Sequence, residues 1–242
     1  YVEWVGRIVR LDFGNSMVVD GRPVLEKIGE RLWPTMSLAI IALLGSLAFS
    51  IPMGVYAAWK RDGWFDTISS TLLYALFAIP SYVMALPLIL YVGVKWDLLP
   101  FQGMTSDNYD QLSAWGKALD LLQHYPLILF CFSFGAWAYY SRFARQNLLE
   151  VLKQDYVRTA MAKGQKPGVV LWKHGFRNTL IPMVTLLGAL LPDIIGGSVI
   201  LEVMFNWPGV GRLFFDSMVQ RDYSVIMALS LITAVLVLVG TL

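Results

Sequence analysis

Four stretches of this chain carry no charged residue for twenty positions or more: Leu32–Trp59, Thr67–Val94, Leu121–Ser141 and Tyr223–Leu242. A helix rises 1.5 Å per residue and a bilayer core is about 30 Å thick, so about 20 apolar residues cross it. Uncharged runs this long leave no polar face for solvent, which excludes a soluble helical core. A fifth run, Asn178–Leu201, is interrupted only by Asp193 and contains Pro192. It reads as one further span, because neighbouring helices or water can satisfy a backbone opened by proline; the alternative is two short core helices broken at Pro192. The expected fold class is an all-α integral membrane domain with five spans, at about 34–59, 67–94, 121–141, 178–201 and 223–242. The chain begins at Tyr1 rather than Met and stops inside an apolar run, so the reading is a fragment with a preceding span missing. No repeat or flexible linker divides it: 1–33 is an external segment, and 34–242 one membrane domain.

The loops set the orientation. Arg142–Arg177 holds eight basic residues and the turn at Lys60 and Arg61 two more, whereas the opposite side holds Lys95, Lys117, Arg212 and Arg221. Cytoplasmic loops carry the excess of Lys and Arg, so the loop 142–177 and the C-terminus are expected inside and the N-terminal segment outside. The five basic residues of Tyr1–Arg31 run against this rule but are matched by five acidic ones. Tryptophans near predicted span ends, such as Trp33, Trp59, Trp64, Trp96 and Trp207, fit interfacial anchoring. A net charge of only +2 offers no bulk attraction for nucleic acid. Cys131 is the sole cysteine, and His124 and His174 lie in different segments, so neither a disulfide nor a clustered metal site is expected.

Within the basic loop, Glu150–Lys163 reads as one helix with Leu152, Tyr156, Val157, Ala160 and Met161 on roughly one half of its wheel. Gly164 suits the left-handed position that closes a helix, and Pro167 the first turn of the next. Lys166, Lys173 and Arg177 form a basic stripe on that second helix. The product is a helix–turn–helix elbow. Such an elbow can lie on anionic lipid, or present a rigid knob to a soluble partner that pushes on the membrane helices; the pattern alone leaves both open.

The run Asp155-Tyr-Val-Arg-Thr-Ala-Met-Ala-Lys-Gly164, followed by His174, Arg177-Asn178 and Leu180-Ile-Pro182, resembles the coupling loop of binding-protein-dependent ABC importer permeases. It is most similar to the first permease of the dipeptide/oligopeptide/nickel group. The general pattern of that loop is Glu-Ala-Ala, three residues, then Gly; here Arg158, Thr159 and Ala160 precede Gly164, so the acidic position is basic. The pattern's later Leu-Pro is also displaced, with Pro182 in its stead. Both departures resemble the peptide subgroup. Further matches are Asp12-Phe13-Gly14 with Ser16, Arg31-Leu32 through Thr35, Glu202, Phe205–Leu213 and Arg221-Asp222-Tyr223. Trp33 stands where proline is usual, with Pro34 one place later.

The resemblance implies the transmembrane domain of a type I ABC importer, in a bacterial or archaeal plasma membrane. It implies a second homologous permease completing the substrate path, two cytoplasmic ATP-binding subunits on the elbows, and an external substrate-binding protein. ATP belongs to those partners; no G-x-x-x-x-G-K-[ST] run occurs here, and no cofactor is expected in this chain. The residues expected to dock on the ATPase are Arg158, Thr159, Ala160, Lys163 and Gly164: the small ones for close approach, the basic ones for partner carboxylates. Asp193 is either in the path or at the permease interface, or near the outer boundary, since a carboxylate at membrane depth is expensive. Gly196, Gly197 and Ser198 read as close-packing positions. Pro208-Gly-Val-Gly211 lacks a phosphate-loop lysine and reads as an outer turn. An ion-gradient-driven secondary transporter is the alternative function, but it calls for ionisable groups in several spans and duplicated halves. For an intramembrane enzyme the chain lacks H-E-x-x-H and any obvious Ser/His or paired-Asp constellation within the spans.

Overall fold

The computed structural model describes residues 6, 12–180, 182–183 and 198–241. Helix α1 is Val24–Trp59, α2 Trp64–Phe77 and α3 Ser81–Pro87, the last continuing as a π-helix over Leu88–Lys95. A single 3₁₀ turn at Tyr109–Gln111 precedes α4, Ala114–Val151. Then come α5, Asp155–Ala162; α6, Pro167–Val169, which runs into a second π segment at Val170–Phe176; α7, Val199–Met204; α8, Val210–Gln220; and α9, Tyr223–Thr241. Among the described residues the only β pairing is an isolated bridge between Asn15 and Pro23.

Two of these helices, α1 and α4, are each long and apolar enough to cross a membrane. Their 36 and 38 residues correspond to about 54 and 57 Å, well beyond a core of about 30 Å. The surplus of α4 is charged, with Lys117 and Asp120 near its start and Arg142, Arg145 and Glu150 near its end. The uncharged run 67–94 behaves differently: α2 and the α3–π helix meet at 91° across Ala78–Pro80, and only together are they long enough to span. Ile79 precedes a proline, which disfavours helical backbone there, and its N–H closes a tight turn on Leu76 O at 3.0 Å. Pro87 then removes a backbone donor. The helix widens to i→i+5 bonding, ending with Trp96 N–H on Tyr91 O at 2.9 Å. Most of the fifth run, including Pro192 and Asp193, lies outside the described residues.

Two compact units divide the chain. The first comprises Tyr1–Ile41, Met84–Leu129 and Leu190–Leu242, the second Ala42–Val83 and Phe130–Ala189. The first unit's core joins Val24 and Ile28 to Val210, Leu213, Val225, Ala228 and Leu229. A polar knot closes around it. Glu202, 0% exposed, receives Thr35 Oγ1–H at 2.9 Å and the Arg212 N–H at 2.9 Å, while Thr35 itself accepts the Val210 N–H at 2.8 Å. The carboxylate therefore caps the N-terminus of α8, where the helix dipole favours negative charge. A Cβ on Gly209 would lie 2.4 Å from Glu202 Oε2, which is why glycine stands there. The Pro208–Gly211 stretch is thus a turn opening a helix, and its anion is the protein's own. Trp207, fully buried, donates from Nε1 to Pro34 O at 3.1 Å.

Nearby in the same unit, Asp222 accepts the Ser16 hydroxyl at 2.5 Å and the Met17 N–H at 3.0 Å. It ties the Asp12–Ser16 segment to the start of α9. The Lys27 ammonium, 3.0 Å from Asp20, holds that carboxyl below its ordinary value.

The second unit is held by close helix approach and one ion pair. Gly54 of α1 lies against α4 so tightly that a Cβ would be 2.3 Å from Ser141 O. Asp66 of α2, 5% exposed, accepts from Arg145 of α4 in a two-pronged contact, Nε–Oδ1 2.7 Å and Nη2–Oδ2 2.6 Å.

Candidate coupling elbow

α4 does not stop where the uncharged run ends at Ser141. It continues through Arg142 and Arg145 to Val151, and the chain then breaks. The expected single helix Glu150–Lys163 is corrected here: Leu152–Gln154 form a turn, with Lys153 N–H on Glu150 O and Gln154 N–H on Val151 O. Gln154, extended at φ −69° and ψ 148°, starts α5 as a separate helix. Packing explains the break. Leu152 lies against both apolar clusters of this region, Val55, Ala58, Leu148 and Leu171 in one, Val157, Ala160 and Val170 in the other. A straight helix would carry it past one of them.

The closing turn follows the local chemistry. Gly164 adopts φ +72°, its N–H bonds Met161 O at 2.9 Å, and Gln165 N–H bonds Ala160 O at 3.3 Å. These are the paired bonds of a Schellman end, which a residue with a Cβ adopts only under strain. Pro167 occupies the first turn of the next helix. The π segment that follows seats Gly175 against Leu148, where a Cβ would come within 2.9 Å of Leu148 Cδ1. Across the bend, the His174 ring Nε2 and Gln165 Oε1 are 2.8 Å apart, and Asn178 Nδ2 donates to His174 O at 2.9 Å.

These elements place the expected docking residues unequally. Arg158, Thr159, Lys163 and Gly164 are exposed; Ala160, 5% exposed, is turned inward against Val157 and Val170 and serves the elbow's own packing. The side chain of Arg158 is 72% exposed and stands 4.0 Å from the fully exposed Asp155 carboxylate, a weak surface pair. Thr159 spends its hydroxyl on Asp155 O at 2.8 Å. Lys166, Lys173 and Arg177 are all exposed. Asp193, Gly196 and Gly197 lie outside the described residues, and Ser198 accepts the Leu201 N–H at the start of α7.

Two features central to these units were not anticipated from sequence. The Asp66–Arg145 pair had a readable signal: Asp66 immediately precedes the uncharged run Thr67–Val94, and Arg145 lies one turn beyond the run Leu121–Ser141. The Thr35–Glu202 contact joins residues 167 apart, and nothing local announces it.

Comparison with known proteins agrees with the architecture. Residues 50–242 match the family described as binding-protein-dependent transport system inner membrane component. The oligopeptide transport system permease protein AppB of Bacillus subtilis is 41% identical over all of this chain and 75% of its own length. The glutathione transport system permease protein GsiC of Escherichia coli is 37% identical over 93% of this chain and 68% of its own. An inward-facing structure of the MetNI methionine ABC transporter shares the fold, with a TM-score of 0.65 at 15% identity, covering 90% of this chain and 94% of that one. Relatives of this kind are ABC permeases rather than ion-driven carriers, and the ATPase resides on separate subunits, so the chain is a transport component and not an enzyme. With its type I importer fold, the chain belongs to the family of binding-protein-dependent transport system inner membrane components, the permeases of ABC importers.

Proposed function

We propose that this permease imports short peptides or a related small ligand, and that the elbow 155–166 is where it receives force from a cytoplasmic ATPase. The observation that carries the proposal is the elbow's construction. Exposed Arg158, Lys163 and Gly164 sit on a small body whose inner face, through Leu152, Leu171 and Phe176, is packed on Val55 and Ala58 of α1 and on Leu148 near the end of α4. A push on such a body moves two membrane helices rather than a slack loop. Arg158 and Lys163 face partner carboxylates, Thr159 and Gly164 contribute close contact, and Ala160 keeps α5 seated.

In this reading a second, homologous permease completes the path, two ATP-binding subunits engage the two elbows, and an external binding protein delivers the ligand. The domain boundaries follow: 1–33 outside, spans at about 34–59, 67–94 (bent at Pro80), 121–141, 178–201 and 223–242, with the loop 142–177 and the C-terminus in the cytoplasm. Asp193 is assigned to the path, to the permease interface or to the outer boundary of its span. ATP stays on the partners, and this chain carries no cofactor of its own. Peptide as cargo rests on the resemblance to the peptide group and on the oligopeptide permease among the relatives.

Single cysteines placed along 155–166 test the docking. Cross-linking that captures an ATP-binding subunit is the expected result, and a complete scan that captures none refutes it. Gly164→Trp adds a further test, because a Cβ there meets nothing within 4 Å and the local cost is backbone strain at φ +72°. Membrane insertion should persist while ATP hydrolysis and transport part company; normal coupling would remove this face from the docking site.

A further inference from the structure

Helices α2 and α4 of the second unit leave a cavity of about 190 Å³, lined among others by Ser70, Tyr74, Ser141, Arg142, Arg145 and Gln146. Its two guanidiniums are not equivalent. Arg145 is neutralised by Asp66. Arg142 has no carboxylate partner among the described residues; its guanidinium lies 5.8 Å from the centre of the Tyr74 ring, a cation–π contact that leaves the fork's N–H groups available. The cavity mouth thus carries one exposed guanidinium without a carboxylate partner, beside the Ser141 hydroxyl and the Gln146 amide, while the Ser70 hydroxyl is engaged with Asp66.

Its depth matters as much as its charge. Arg142 is the first charged residue after the run Leu121–Ser141, and Ser70 stands one turn inside the run that starts at Thr67. Both positions fall at the edge of the hydrocarbon, where phosphate groups of lipids lie. Tyr74, Phe77 and Tyr139, on the same two helices, are 46%, 60% and 51% exposed, an apolar flank suited to acyl chains. We propose that this cavity binds one phosphate-bearing anion, with Arg142 as its principal charge partner and Ser141 and Gln146 completing the hydrogen bonding. A lipid headgroup and a free phosphate share this chemistry, and guanidinium suits both through its paired donors. The site is independent of ATPase docking, since it shares no residue with the elbow's exposed face.

The test uses the assembled transporter in phosphatidylcholine vesicles containing a small fraction of spin-labelled phosphatidylglycerol, reading the immobilised fraction of label. Wild type should hold the anionic lipid in preference to labelled phosphatidylcholine. Arg142→Gln should lower that preference about tenfold, the loss expected for one charge-assisted hydrogen bond, and Arg142→Lys should restore part of it. Ser70→Leu fills the cavity without altering charge and should lower it as well. Displacement of the label by excess inorganic phosphate assigns the site to the free anion; retention assigns it to the lipid. Equal retention by wild type and Arg142→Gln would overturn the proposal, showing that the arginine merely reaches into water. Loss in Arg142→Gln with none in Ser70→Leu would overturn it too, because diffuse attraction needs no cavity.

Discussion

Glu202 in the first unit and Asp66 in the second are both buried carboxylates, and they are stabilised by different means. In the first, Glu202 is wholly buried among neutral donors, the Thr35 hydroxyl and the Arg212 N–H in the first turn of α8, with glycine at 209 allowing the approach. In the second, Asp66 is gripped by the guanidinium of Arg145, with only the Asp62 N–H, at 3.0 Å, as an additional backbone donor. Neutral donors spread the stabilisation over several bonds of modest strength, whereas a buried ion pair places most of it in one partner. The first unit should therefore tolerate loss of a charge better than the second.

Five variants test that contrast and the elbow beside it, from the largest expected effect downward. Asp66→Ala strands Arg145 and should destabilise by about 3–5 kcal/mol, read as loss of monodisperse protein on heating in detergent. Pairing Asp66→Leu with Arg145→Met should recover most of the loss; a double variant as unstable as the sum of the two single changes would show that the two residues act independently. Glu202→Gln keeps the shape but turns one acceptor into a donor facing N–H or O–H, at about 1–3 kcal/mol. Destabilisation by Glu202→Gln as large as that by Asp66→Ala would erase the distinction between the units. Gly164→Ala adds a Cβ at φ +72°, in open space, and should cost about 1–2 kcal/mol through backbone strain alone. Arg158→Ala should leave the melting temperature unchanged within error while lowering coupled transport; a clear drop in stability would mean the residue serves the fold rather than a partner.

The elbow illustrates how far local sequence reaches. Gly164 and Pro167 mark its bend because a left-handed turn and a donor-free first helical position are demands that single residues meet. The break at Leu152–Gln154 was illegible: the apolar pattern of Glu150–Lys163 fits one helix, and only the two clusters competing for Leu152 and its neighbours divide it. Ala160 shows a related limit. A small residue on a helix serves close approach to something, but the sequence does not say whether that is an external partner or Val170 of the same chain.

What the amino-acid sequence determined by itself was the apolar, all-helical membrane class and the family, since uncharged length and ordered motifs are properties of the chain. The tertiary structure alone decided the 91° bend at Ala78–Pro80, the extension of α4 to Val151, and the partners of Glu202, Asp222 and Asp66. Apolar length measures the free energy of leaving water, which sums along a segment. Hydrogen bonds between distant residues depend on distance and direction, which exist only once the helices have packed.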